Sequence, residues 1–287
     1  MKKLILSSLT FAGLVLLFSG ICISGFSQGT GAVKLVYNYP ADKQITYLTK
    51  STMAQIMDFQ GQTMQVDVKS AFGCSVKTAG KQENNLKVEV RVDTLGQTTD
   101  SPMGGTGGAV QDVVGKTCNM IISPEGKVVD MSETAKIVYT NEGGSESNLT
   151  QALNDFFPVL PQKPVKAGET WESNDSSIVT SPSLKMKTFD NSVNKLEAIE
   201  IIDGIQCARV STNHTGTMIM TVNNQGMDIF IKGPFTGTSE YLFAIKEGYF
   251  IKLTSAIKMT GNMEISSPET MTVPITLDMK SVNEMKK

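Results

Sequence analysis

Between positions 86 and 92 the chain alternates without a break: Leu86, Val88, Val90 and Val92 are separated by Lys87, Glu89 and Arg91. Period two puts each set on its own face of an extended chain, which predicts a strand with one dry and one wet face. Ile251, Leu253, Ile257 and Met259 alternate in the same way with Lys252, Thr254, Ala256 and Lys258. Met271, Val273, Ile275, Leu277 and Met279 alternate with Thr272, Pro274, Thr276 and Asp278. One wet face per strand is the mark of an antiparallel sheet. Pro274 has no N–H to give a ladder, so its strand is expected at an edge or a bulge.

Turn residues punctuate these runs. Phe59-Gln60-Gly61-Gln62, Ser123-Pro124-Glu125-Gly126, Asp203-Gly204, Asn223-Asn224-Gln225-Gly226 and Lys246-Glu247-Gly248 each sit between apolar segments. The spacing predicts roughly ten or eleven strands. Two segments depart from it. Ser101 to Gly108, with four glycines, is expected to be a loop. Leu149, Ala152, Leu153 and Phe156 fall at helical spacing behind Ser147 and Asn148 and ahead of Pro158, which predicts a short amphipathic helix over 148–157.

That helix divides segments 33–140 and 159–287, and these share a pattern. Thr52-Met53 precedes Gln60-Gly61 by the distance that separates Thr217-Met218 from Gln225-Gly226. An internal duplication and two ordinary hairpins with the same turn vocabulary both account for it.

The first residues carry Lys2 and Lys3, then an apolar run from Leu4 to Ile23, then Gly25 and Ser27 ahead of Gln28. This is the order of a secretory signal, so 1–27 is expected to be removed on export, the alternative being an uncleaved membrane anchor, since roughly 20 apolar residues can span a bilayer. Ile21 rather than a small residue precedes Cys22, which speaks against lipidation there. Removing Lys2 and Lys3 leaves 24 basic against 28 acidic residues, a net charge of −4 (24 − 28). Such a chain has no electrostatic footprint for nucleic acid, and no later apolar run is long enough to span a membrane. The mature portion of about 260 residues is of a size that one β domain can hold. Cys74, Cys118 and Cys207 remain; three thiols leave at least one unpaired, and all three read as buried apolar groups with room for one disulfide among them.

The most distinctive stretch is Phe157-Pro158-Val159-Leu160-Pro161-Gln162-Lys163-Pro164-Val165-Lys166-Ala167-Gly168-Glu169-Thr170-Trp171. Through Leu160, Pro161, Lys163, Pro164, Val165, Lys166, Gly168, Glu169 and Trp171 it resembles a family of exported, largely Bacteroidetes-type β proteins of unknown function. The resemblance implies export and β architecture and carries no catalytic residue. Physically, the prolines hold the chain extended and Trp171 offers a large apolar face, which predicts a structural lock between the halves.

Reactive constellations are sparse. His214 is the sole histidine, so neither a histidine-rich zinc site nor a choice of catalytic bases is available. Ser192-Val193-Asn194-Lys195 matches Ser-x-x-Lys without its companion motifs. Gly115-Lys116-Thr117 ends like a phosphate-binding loop, but Val110 stands where that loop needs glycine. Neither a cofactor nor a metal is expected. The 16 methionines are spread over the hairpins as flexible core filling, the soft-metal alternative resting only on Met218 and Met220 near His214.

The expected architecture is therefore mainly β: a large curved antiparallel sheet, half-barrel or barrel, or two packed layers, with one short helix near its middle. A curled sheet of this strand number can be wider than its side chains fill. The expected function is a non-catalytic envelope or secreted protein that binds an apolar small molecule or lipid in a β-lined cavity, with Met259, Met271, Val273, Ile275 and Leu277 on its wall. Lipoprotein-carrier half-barrels are similar in this outline. A filled β module acting structurally is the alternative, and an enzyme the third reading. The periplasm, the outer membrane and the medium are all open as destinations.

Overall fold

Alternation of the kind seen at 86–92 becomes pairing throughout the computed structural model, which describes residues 31–286 except 60, 103, 142–143, 225–226 and 267–269. The expected signal segment and its cleavage point lie outside the described residues. Fourteen strands form among the described residues, more than the ten or eleven expected because short strands such as β6, β7 and β8 carry no alternation long enough to read. In the first part these are β1 (Ile45–Phe59), β2 (Gln62–Gln82), β3 (Asn85–Ser101), β4 (Gly104–Ala109), β5 (Thr117–Ile122), β6 (Val128–Asp130), β7 (Val138–Thr140) and β8 (Glu146–Asn148). A one-turn helix, α1 (Thr150–Leu153), follows. The second part holds β9 (Thr170–Thr180), β10 (Leu184–Ile202), β11 (Ile205–Asn224), β12 (Met227–Ala244), β13 (Tyr249–Ser266) and β14 (Thr270–Met285).

Twelve strands make one antiparallel sheet in the order β6-β5-β3-β2-β1-β14-β13-β12-β11-β10-β9, with β4 beside β3. β6 and β9 are its two ends and do not pair, so the sheet is open, a half-barrel and not a closed barrel. The first and second parts meet where β1 pairs with β14, from Tyr47–Met285 to Met57–Ile275. With 18 residues each, β12 and β13 extend for up to about 60 Å.

Three sequence expectations need correction. The glycine-rich stretch is not a loop: Gly104–Ala109 pairs with β3 from Gly96–Ala109 to Ser101–Gly104. Glycine suits this strand because a Cβ on Gly107 would lie 2.2 Å from the Gln97 carbonyl oxygen. The helix is one turn and not ten residues, ending before Phe156 and Phe157, which go into the core instead; Asn148 still serves its start, its Oδ1 accepting from Thr150 N at 3.1 Å. The strand of Pro274 is central, but on the β1 side pairing stops at Met57–Ile275, so Pro274 stands one residue beyond the ladder that would have needed its N–H.

Two apolar clusters occupy the two ends of the long strands. The larger joins the start of β1, the end of β2, β3, β5 and the turns of β10–β13 with Leu35, Tyr37, Tyr39, Leu149, Leu153, Phe156 and Phe157. Its centre is aromatic: Tyr47 stacks on Phe250 at 4.4 Å, and Phe156 meets Phe250 edge-on at 5.6 Å. Tyr47 also donates its hydroxyl to the Phe250 carbonyl at 2.9 Å. The distinctive Pro-rich segment straps this end. Val33 and Val165 exchange backbone bonds of 2.8 and 2.9 Å, Leu160 N donates to Glu125 O at 2.8 Å, and Tyr37 donates its hydroxyl to Pro158 O at 2.9 Å. Trp171, half-buried, packs against the same cluster.

Cys74, Cys118 and Cys207 are buried free thiols with no disulfide among them. Burial pushes the Cys118 thiol up to about 12 and the Cys207 thiol up to about 11, the latter with help from Glu247 and Glu200. Both therefore hold their protons at neutral pH and behave as small apolar groups.

The opposite, convex face is charged, with Lys50, Lys69, Lys252, Lys258 and Lys280 all exposed. A membrane-spanning barrel carries its apolar band outward. Here the buried apolar residues face inward, and the outward positions mix lysines with scattered exposed apolar residues such as Ile56, Ile178, Phe189, Val193 and Val282. No described helix is long and apolar enough to cross a membrane.

Candidate functional site

Register decides what the concave wall looks like between its two packed ends. Strands that alternate in sequence align their inward positions only through pairing, and seven successive pairings bring a row of small polar residues together. Asn194 pairs with Thr212, Thr212 with Ser239, Ser239 with Ser255, Ser255 with Ser281, Ser281 with Ser51, Ser51 with Ser70, and Ser70 with Gln97. The row crosses eight strands from β10 to β3. Its hydroxyls bond to one another where they meet: Ser51 to Ser70 at 2.6 Å, Ser255 to Ser281 at 2.9 Å, and Thr212 donating to Asn194 Oδ1 at 2.9 Å. Most of these residues are half-buried, so water reaches the middle of the concave wall.

At one end of this belt stands the only histidine. His214 Nδ1 lies 2.7 Å from Asp190 Oδ2, and its Nε2 lies 2.9 Å from Ser239 Oγ. Ser192 donates to the same Asp190 Oδ2 at 2.7 Å. With Nδ1 donating to Asp190, Nε2 accepts from the Ser239 hydroxyl, and the chain Ser239–His214–Asp190 closes. Asp155, just after α1, hangs within electrostatic reach of this cluster. The residue is exposed at the surface while neighbouring protein atoms crowd its carboxyl. Burial raises that carboxyl above its ordinary value; the Asn154 amide works against the rise, Asp190 and Asp175 add to it, and His214 offsets part of it.

A serine, histidine and aspartate in this order form the relay of many hydrolases, but a relay also needs donors aimed at the oxyanion. Ser239 lies within a strand paired on both sides, to β11 and to β13, so the backbone around it is committed to ladders. The backbone N–H groups beside Ser239 are therefore not free to act as oxyanion donors. Among the described residues no three His, Cys, Asp or Glu side chains come together as a metal site.

Below the belt lies the second apolar cluster, where Met218, Ile231, Phe235, Met259, Met263, Val273, Ile275 and Leu277 are buried. All five residues expected on a cavity wall are here. Met259 pairs with Leu277, and Ile265 with Met271. Met259, Val273, Ile275 and Leu277 are 0, 2, 3 and 2% exposed, and Met271 is half-buried. Met53, Met57, Met186, Met220, Ile257 and Met279 pack around them while keeping part of their surface open. Met53, Ile257 and Met279 stand one inward position from Ser51, Ser255 and Ser281 and so join the cluster to the belt, which sequence reasoning missed.

A separate groove of about 400 Å³ opens at the strapped end, between Tyr37, Asn38, Lys81, Asn84 and Lys246. Its wall is more polar than apolar, unlike the largely apolar pockets that hold most small ligands.

No protein-family model and no curated protein matches the chain. Among solved structures, it is similar to Neisserial surface protein A, with 8% identity over 85% of this chain and 100% of that one, at a TM-score of 0.22. It is also similar to Pseudomonas aeruginosa OccK2 (OpdF) in complex with glucuronate, with 6% identity, 88% and 100% coverage and a TM-score of 0.25. Pseudomonas aeruginosa OpdQ shows 7% identity, 85% and 99% coverage and a TM-score of 0.23. Scores this low carry no argument about the function of the chain, which rests on its own residues.

Proposed function

We propose that this is a non-catalytic protein of the bacterial cell envelope that holds an apolar or lipid-like ligand on the concave face of its half-barrel. The observation that carries this reading is the apolar surface left open below the polar belt. Met53, Met57, Met186, Met220, Ile257 and Met279 point inward on an unclosed sheet and are only partly covered. Methionine is flexible and polarisable, so such a wall can adapt to an alkyl chain of irregular shape. The export signal expected at 1–27 and the resemblance of the Leu160–Trp171 segment to exported β proteins agree with an envelope location.

A filled structural module is the second reading, favoured by the near-complete burial of Met259, Val273, Ile275 and Leu277. The two readings diverge at the half-open residues. A fluorescent apolar probe should bind the wild-type protein saturably, and Met279→Asp should weaken that binding at least about tenfold while the protein stays folded, because the new carboxylate takes water into the apolar wall. Ile275→Asp is the wrong choice for this purpose, since its site is buried and the charge would unfold that end. A folded Met279→Asp that binds the probe as wild type does would place the ligand elsewhere and favour the filled module.

A further inference from the structure

The belt differs from an ordinary polar surface in what it lacks. Its inward positions include the acids Asp175 and Asp190 and no lysine or arginine. Lys50, Lys69, Lys195 and Lys280 adjoin Ser51, Ser70, Asn194 and Ser281 in sequence, but strand alternation turns each of them outward. A facing cation at this end, Lys127, is already bound to Asp175 at 2.5 Å. Asp155 is a further carboxylate within electrostatic reach of the cluster.

Unpartnered acceptors border the belt as well. Asp190 Oδ1 and Asn283 Oδ1 are buried and have no hydrogen-bond partner among the described residues. Asn283 is only 3% exposed and faces inward two positions from Ser281, paired with Thr49 and Leu253. Buried oxygens left without donors are costly, and native proteins rarely keep them without a reason. The two stand on opposite sides of the belt and four strands apart: Asn283 lies toward the strapped end, and Asp190 lies on the methionine side, two inward positions from Met186, so Asp190 is the acceptor open to a head group whose alkyl part lies on the methionines.

From this geometry we infer that the belt receives the polar end of an amphiphile whose head is a primary amine, while its alkyl part lies on the methionines below. The assignment rests on the ligand-binding reading above and names the class of ligand. An ammonium group supplies three donors and a positive charge and has no acceptor, which complements a wall rich in hydroxyl and carboxylate acceptors. A carboxylate or phosphate head would meet Asp155 and Asp190 with like charge and no facing cation free to answer it.

Binding of dodecylamine, dodecanol and dodecanoate to the whole mature protein, each below its micellar concentration and at physiological salt, tests this with one chain length and three heads. The amine should bind at least about tenfold more tightly than the carboxylate. Asp190→Asn should reduce that preference to less than about threefold with dodecanol binding unchanged, and Asp278→Asn, an acid on the convex face, should leave the preference intact. If Asp190→Asn also loses dodecanol, then Asp155→Asn, at an exposed position, decides by the same criterion. Dodecanoate bound as tightly as the amine, or a preference that survives the deciding substitution, overturns the amine assignment and leaves the carrier standing. Binding of none of the three overturns both.

Discussion

Phe250→Ala should lower the stability of the protein by about 3–5 kcal/mol, a large fraction of what a domain of this kind possesses. Phe250 is fully buried and lies where three parts of the chain converge: Tyr47 of β1 stacked on one face, Phe156 from the segment after α1 against its edge, and its own strand β13. Truncation removes the ring from all of these at once. The cavity would adjoin the Tyr47 hydroxyl, whose bond to the Phe250 carbonyl depends on the same packing. Chemical unfolding followed by far-ultraviolet circular dichroism measures the loss. A decrease below about 1 kcal/mol would mean that the strapped end collapses easily over the gap and is not the anchor described here.

The second large effect is expected at the opposite end, within the methionine cluster. The β12–β13 ladder is interrupted between Lys232–Asn262 and Phe235–Met259, and it resumes without a change of register. Gly233 sits in this interruption. A Cβ there would come to 2.1 Å from the Thr260 carbonyl oxygen and 2.9 Å from the Gly261 Cα. These are backbone atoms of the neighbouring strand, so no side-chain rotation relieves the overlap. Gly233→Val should therefore force the two strands apart and open the methionine cluster, at a cost of several kcal/mol, about 3 or more. Limited proteolysis should then cut near 230–235 and 259–263 while the strapped end stays resistant. A variant that melts as wild type does would show that the strands approach less closely than described.

These two positions also show what could be read from the chain before its fold was known. Alternation placed Met271, Val273, Ile275 and Leu277 on one face, and their pairing with β13 sets Met259 on the same wall. Side-chain period is a local property, so it survives without knowledge of neighbours. The belt is different. Ser51, Ser70, Ser239, Ser255 and Ser281 are ordinary serines spread over more than two hundred residues, and only the registers of five strands bring them into one row. Asp190 and His214 are separated by a hairpin in the same way, so no spacing in sequence marks them as partners. Gly104–Ala109 was misread because glycine signals a turn wherever it occurs, whereas here the absence of side chains is what lets a strand approach β3. The helical period runs past the helix because Phe156 keeps it after the α-helical backbone has ended; its N–H makes only a long 3.4 Å turn bond to Leu153 O, and burial beside Phe250 holds the ring.

The central claim is that the concave methionine face carries a ligand, and the direct measurement is of what comes with the protein. The full chain should be exported in a bacterial host, purified from the envelope without detergent, extracted with organic solvent, and the extract analysed by mass spectrometry beside the identically treated Met279→Asp variant. The account predicts an apolar or lipid-like compound in near-stoichiometric amount in the wild-type extract and its marked depletion in that of the variant. An extract free of such a compound from wild-type protein that also fails to take up an apolar probe would contradict it.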